Sequence, residues 1–235
     1  MQILHNKALT LACIGLALVS LNSSRHPGGD GGGSTPAKCL SQVDVDKAVV
    51  SLSQQYDEAQ LAQNALRETS RVSSQCRKRV VAAVMKAMDK PNVDISRDQA
   101  EANLWREGAR LLGDLKATES LDLLLSHITM TDGGWSSTMT HQPALRGIIR
   151  MGPLAIPKLG RLLRHNDGQT RRYATYCLAC IGGLLARQTL QKALPAESDA
   201  CLKRFMLISI KRIDIKHGGV KPDHGEWAKA FLCMS

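Results

Sequence analysis

The sequence predicts an all-α protein in which helical hairpins stack side by side as a solenoid. Three observations carry that expectation. A stripe of small and apolar residues at helical spacing recurs along the chain, and glycines punctuate it at similar intervals. The composition, 43% hydrophobic but only 3% aromatic over 235 residues, suits cores packed by Leu, Ile, Val and Ala.

The stripe is clearest in the stretch from Ala144 to Leu194. Ala174, Cys177, Leu178 and Ile181 fall at i, i+3, i+4 and i+7, which puts them on one helical face before Gly182 and Gly183 interrupt the helix. Ala144, Gly147, Ile148 and Met151 repeat the arrangement ahead of Gly152. Each glycine is followed by a second helix, so the unit is a hairpin. Trp105, Gly108, Ala109 and Leu112 precede Gly113, and Leu121, Leu124, Leu125 and Ile128 form the partner stripe. A last stripe, Met206, Ser209, Ile210 and Ile213, stands where a fourth copy belongs, with Asp214 in place of glycine. Gly113, Gly152, Gly182 and Asp214 are 39, 30 and 32 residues apart, and a polar loop at 129–142 lengthens the first interval. Periods of this size mark stacked units that cannot cover their own apolar faces alone. Pro153 and Pro157 fit turn and first-turn positions, where a missing N–H costs little.

Before Asp98 the pattern is looser. Residues 45–68 contain no proline or glycine and read as one long helix, with apolar positions at Val45, Val49, Leu52, Tyr56, Leu61 and Leu66. Ser73 and Ser74 offer an N-cap to a second helix through Val80, Val81, Val84 and Met88, which Pro91 ends. Residues 39–97 are therefore expected to form an N-terminal hairpin, a cap or a divergent first repeat, ahead of repeats and a capping helix over 98–235.

The segments NDGQTRRYATYCLACIGG and GPLAIPKLGRLL resemble the HEAT-like (armadillo-type) repeat family, and the resemblance extends over about Asp98 to Ile215. It implies an α-α superhelix of about four HEAT-like hairpins whose second helices line a concave face. It also implies that Arg171, at a position where such repeats often place an arginine bonded to neighbouring repeats, is structural. HEAT motifs specify a fold and say almost nothing about function. Some proteins built of similar repeats are bilin lyases, so an enzyme of that kind is one alternative, and a structural envelope component is another.

The N-terminus has the dimensions of an export signal. Lys7 precedes a charge-free run from Ala8 to Leu21, shorter than the roughly 20 residues of a membrane-spanning helix. Residues 1–24 are read as a signal peptide or N-terminal anchor, and 25–38, rich in glycine and proline, as a flexible linker. Export permits disulfides among Cys39, Cys76, Cys177, Cys180, Cys201 and Cys233. Cys39 and Cys76 would begin the two helices of one antiparallel hairpin and so lie at opposite ends of it. Cys201 and Cys233 would begin one helix and end the next, and that pair is the expected bridge.

Charge gives the functional expectation. From His141 to Lys216 there are fourteen Lys and Arg against four Asp and Glu, which accounts for the whole net charge of +10. Lys158, Arg161 and His165 share one helical face, and Arg146 and Arg150 another; Arg164 adjoins the first. Arg187 and Lys192 belong to the second helix of the next unit. A positive face of this kind attracts acidic proteins, phosphates, anionic lipid headgroups or acidic glycans. The shortage of aromatic rings argues against nucleic acid. Cys177 and Cys180 have C-x-x-C spacing, but inside a helix rather than at its start, which favours core packing over redox or metal chemistry. His217, Asp223, His224 and Glu226 cluster in a glycine- and proline-rich turn that reads as solvent-exposed. No G-x-S-x-G, H-E-x-x-H, Walker or G-x-G-x-x-G sequence occurs. The expected function is a non-catalytic, secreted or periplasmic protein-interaction scaffold without cofactor or metal. It would take an acidic or anionic partner, with a tether through the N-terminal apolar segment in the anchored form. Its partner-binding residues would be Arg146, Arg150, Lys158, Arg161, Arg164, Arg187 and Lys192.

Overall fold

A computed structural model describes residues 38–90, 95–132 and 142–215. The expected signal or anchor and most of the expected linker fall outside these residues, as do residues 133–141, Cys233, and the stretch from His217 to Glu226. Among the described residues the structure is helical with no strand, and the chain divides into two units, Met1–Asn92 and Val93–Ser235.

The first unit holds α1 (Gln42–Ser51), α2 (Tyr56–Val72) and α3 (Ser74–Met88), each packed on the other two. Ser41 caps α1 by accepting from the Asp44 N–H, and Ser73 caps α3 by accepting from the Cys76 N–H. The single long helix expected over 45–68 is instead two helices, separated by turns at Leu52–Gln55. No proline or glycine announces this break; Ser53 makes it locally by donating to the Val50 carbonyl at 2.7 Å. Beyond the break, two of the apolar positions read from the sequence, Tyr56 and Leu61, are exposed. Ala59, Ala62 and Leu66 take the buried positions with Val45, Val49, Val80, Val81 and Val84.

The extra helix also overturns the expectation for Cys39 and Cys76. With three helices running alternately up and down, the starts of α1 and α3 lie at the same end, and these cysteines form a disulfide with Cα atoms 5.8 Å apart. Arg79 reinforces that corner by donating to the Leu40 carbonyl at 2.7 Å.

The second unit begins with α4 (Gln99–Asp114), which Asp98 caps by accepting from the Ala100 and Glu101 N–H groups. Then come α5 (Leu121–Ser126), α6 (Pro143–Met151), α7 (Ile156–Leu162), α8 (Gly168–Ile181), α9 (Gly183–Ala193) and α10 (Ala200–Ile215). α6 packs on both α4 and α8, and α8 packs on α10; α7 packs on α9. The stripes read from the sequence face these contacts: Ala144, Gly147, Ile148 and Met151 are buried, as are Ala174, Cys177 and Leu178, and Met206, Ser209, Ile210 and Ile213. Trp105 is also buried and tilts against His127 with ring centroids 4.7 Å apart.

The glycines do two different jobs. Gly152 and Gly182 end α6 and α8 at φ 67° and 70°, a left-handed conformation open chiefly to glycine. Gly113 was expected to do the same, but it lies within the last turn of α4. A Cβ there would stand 2.5 Å from the Gly147 carbonyl oxygen, and one on Gly147 would stand 2.6 Å from the Ala109 carbonyl oxygen. These glycines let two helix backbones touch. The turn after α4 is made by Lys116, at φ 52°.

Candidate binding face

Contacts between corresponding ends of the first helices set the geometry of the second unit. Asp114, at the end of α4, accepts from Arg150, near the end of α6, at 2.6 Å. Gln142, just before α6, donates to the Tyr173 hydroxyl in the first half of α8 at 3.2 Å. α6 therefore runs in the same direction as both α4 and α8. The second helices keep a matching register, because a Cβ on Gly160 of α7 would meet the Thr189 Cγ2 of α9 at 3.0 Å.

Among the described side chains, the acids of the basic half are committed to holding this arrangement. Asp167 caps α8, accepting from the Gln169 and Thr170 N–H groups and from the Thr170 hydroxyl at 2.6 Å. The Thr170 hydrogen bonds hold its carboxyl below the usual carboxylate range. Glu197 is buried and takes Arg171 through both oxygens, at 2.9 and 3.1 Å. The same Arg171 donates to the His165 and Asn166 carbonyls, each at 2.9 Å, so it joins the turn before α8 to the turn before α10. Its hydrogen bonds to Glu197 raise its pKa further. Asp199 accepts from the Leu202 N–H at the start of α10.

The seven basic residues expected to bind differ in exposure and in partners. Arg146 is half-buried beside Arg106, Arg110, Asp132 and Glu107, and its pKa is lowered by burial first and by Arg106 next. Arg150 is engaged with Asp114, and Lys158 donates to Asp122 at 2.6 Å. Arg187 is half-buried. Arg161, Arg164 and Lys192 are exposed, and among the described residues no ion pair holds them.

Exposure along the second helices is periodic. Leu154, Pro157, Arg161 and Arg164 are solvent-facing at spacings of 3, 4 and 3, and α9 matches them with Leu184, Leu185, Gln188, Gln191 and Lys192. The leucines went unremarked in the sequence because a turn glycine precedes them. Their exposure, 51% for Leu154, 62% for Leu184 and 52% for Leu185, is what distinguishes them from the buried Leu159, Leu163 and Leu190 of the same segments. The outer face of α7 and α9 thus begins on leucine and continues into cations, and from Gln142 to Ala196 the one acid is the capping Asp167.

The C-x-x-C motif packs into the core on its Cys177 side. Cys177 is fully buried and burial pushes its thiol up, while Cys180 is half-buried, and neither is in a disulfide. Cys201 is disulfide-bonded. Among the described residues no three His, Cys, Asp or Glu side chains group as metal ligands, and no helix is long and apolar enough to cross a membrane. No family model matches the chain, and no curated protein matches it.

Proposed function

We propose that the protein is a non-catalytic interaction module in which a HEAT-like α-α solenoid presents the outer face of α7 and α9 to an anionic partner outside the cytosol. One observation carries the reading: Asp167, Glu197 and Asp199 are spent on caps and on the Arg171 clamp, while Arg161, Arg164 and Lys192 are exposed. Same-direction stacking of the first helices supports the solenoid. The Cys39–Cys76 bridge and the disulfide at Cys201 support an oxidising compartment, as does the apolar run at Ala8 to Leu21.

The reading is narrower than a general basic half. Arg150 and Lys158 are satisfied within the fold, and a partner would have to break their ion pairs to recruit them. The test is binding to immobilised polyglutamate. The triple variant R161E/R164E/K192E should elute at markedly lower salt than the parent, with unchanged circular dichroism. K47E/K78E/K86E, in exposed positions of the first unit, should elute like the parent. Equal loss in both triples would reduce the effect to net charge, and no loss in the first would remove the site.

A further inference from the structure

On the reading just given, the partner's chemistry can be narrowed: we infer that the outer face of α7 and α9 docks on an anionic phospholipid bilayer, with Leu154, Leu184 and Leu185 entering the acyl boundary and Arg161, Arg164 and Lys192 meeting the phosphates.

The argument starts from where the leucines stand. All three sit at or just after the turn that leads from a first helix into a second, so they project from the tips of α7 and α9 rather than lining a groove. The Gly160–Thr189 contact aligns the two helices, which places Leu154 level with the Gly183–Leu184 step. Packed helices lie about 8–10 Å apart. Two apolar tips at one height on neighbouring helices match a plane, whereas a protein partner would have to supply a complementary pair of sockets.

The cations follow at the right depth. Arg161 is seven residues beyond Leu154, and Lys192 is seven beyond Leu185; at about 1.5 Å per residue both stand about 10 Å above the tips. That is the thickness over which interfacial segments bury an apolar face while their basic groups stay among the headgroups. Arg164 is one turn higher. Between tip and cation the exposed residues are Pro157, Gln188 and Gln191, with no acid to repel phosphate. Asp122, on the neighbouring α5, is bonded to Lys158. The N-terminal apolar run, read as a signal or anchor, would deliver the chain to the same surface.

The test uses the full chain with vesicles of phosphatidylcholine, with and without phosphatidylglycerol. Vesicles of phosphatidylcholine alone report whatever the Ala8 to Leu21 segment contributes, and the gain on adding phosphatidylglycerol reports this face. That gain should fall about a hundredfold in R161E/R164E/K192E, at about fivefold per cation. In L154S/L184S/L185S it should fall about tenfold, with polyglutamate binding unchanged. A third measurement is direct: the tryptophan of Leu185→Trp should be quenched by lipids brominated in the acyl chain, beyond any quenching of the parent's own tryptophans. If the leucine triple keeps the full gain, or if Leu185→Trp shows no added quenching, the lipid assignment falls while an acidic protein remains as partner. If the charge triple binds both vesicles and polyglutamate like the parent, the reading beneath it falls as well.

Discussion

The two units solve the same packing problem by different means. In the first, α1, α2 and α3 meet through ordinary Val, Ala and Leu contacts, and a disulfide ties the starts of the first and last helices together. In the second, no disulfide joins α4, α6 and α8; Gly113 and Gly147 bring α4 and α6 into backbone contact, and Arg171 with Glu197 bonds α8 to the turn before α10. A covalent tie acts mainly on the unfolded chain, which it forbids to expand. Backbone contact and a buried ion pair act only in the folded one. The first unit should therefore depend on its Cys39–Cys76 bridge, and the packing of α4, α6 and α8 on side-chain volume and charge.

The largest effect is expected where that contrast is most direct. Opening the Cys39–Cys76 loop alone, by C39S/C76S, should cost the first unit about 4 kcal/mol, given a sequence separation of 37 residues. Hydrogen exchange resolved along the sequence should show α1 to α3 losing protection while α4 to α8 keep theirs. Equal loss in both would mean that the bridge stabilises the chain as a whole.

Next comes Arg171→Ala, which leaves a buried carboxylate and two turn carbonyls without their donor. A loss of about 3 kcal/mol in urea unfolding is expected, and adding Glu197→Gln should recover part of it. If the double variant is as unstable as the two single losses added together, the residues are not coupled.

Gly147→Ala should cost about 2–3 kcal/mol, because the new methyl meets the Ala109 backbone, which cannot rotate away. Gly160→Ala meets only the Thr189 methyl at 3.0 Å and gains helix propensity, so its effect should be under about 1 kcal/mol. Similar losses at both positions would show that the α4–α6 approach is no closer than any other.

The smallest effect concerns acid. The Asp167 carboxyl titrates below its unfolded value, so its contribution is complete above about pH 3.9 and disappears as the pH falls through the lowered folded value. Asp167→Ala should lower stability by about 1 kcal/mol at neutral pH and flatten this part of the acid limb. A parallel downward shift at all acid pH values would mean that the carboxyl contributes nothing through its protonation.

How much of this could be read from the residues depends on the kind of contact involved. Stripes such as Ala144–Gly147–Ile148–Met151 announce themselves because a helix repeats its face every few positions, and the glycines at 152 and 182 mark turns by a local backbone need. The break at Leu52–Gln55 has no such marker; hydroxyl and amide groups take up the backbone bonds there, and their sequence is equally compatible with a helix. Gly113 and Gly152 look alike in one dimension, and only the approach of a second backbone tells them apart. Arg171 was recognised as structural, but Glu197 lies 26 residues away and nothing in spacing links the two. The charge count named Arg150 and Lys158 without their partners, because Asp114 and Asp122, which engage them, belong to segments outside the counted half.

The Arg171 clamp also limits how this chain can be lengthened or shortened. Its guanidinium donates to the carbonyls of the turn behind it and to a carboxylate ahead of it, so the helical pair from Gly168 to Ala196 is wired to the segments on both sides. An engineer who duplicates that pair must copy Glu197 along with it, or the inserted arginine will face a turn that offers no acid. One who deletes it leaves Glu197 in the interior without a counter-charge. The natural module for extending this protein is therefore not a helical hairpin but the stretch from His165 to Asp199, cut outside the clamp.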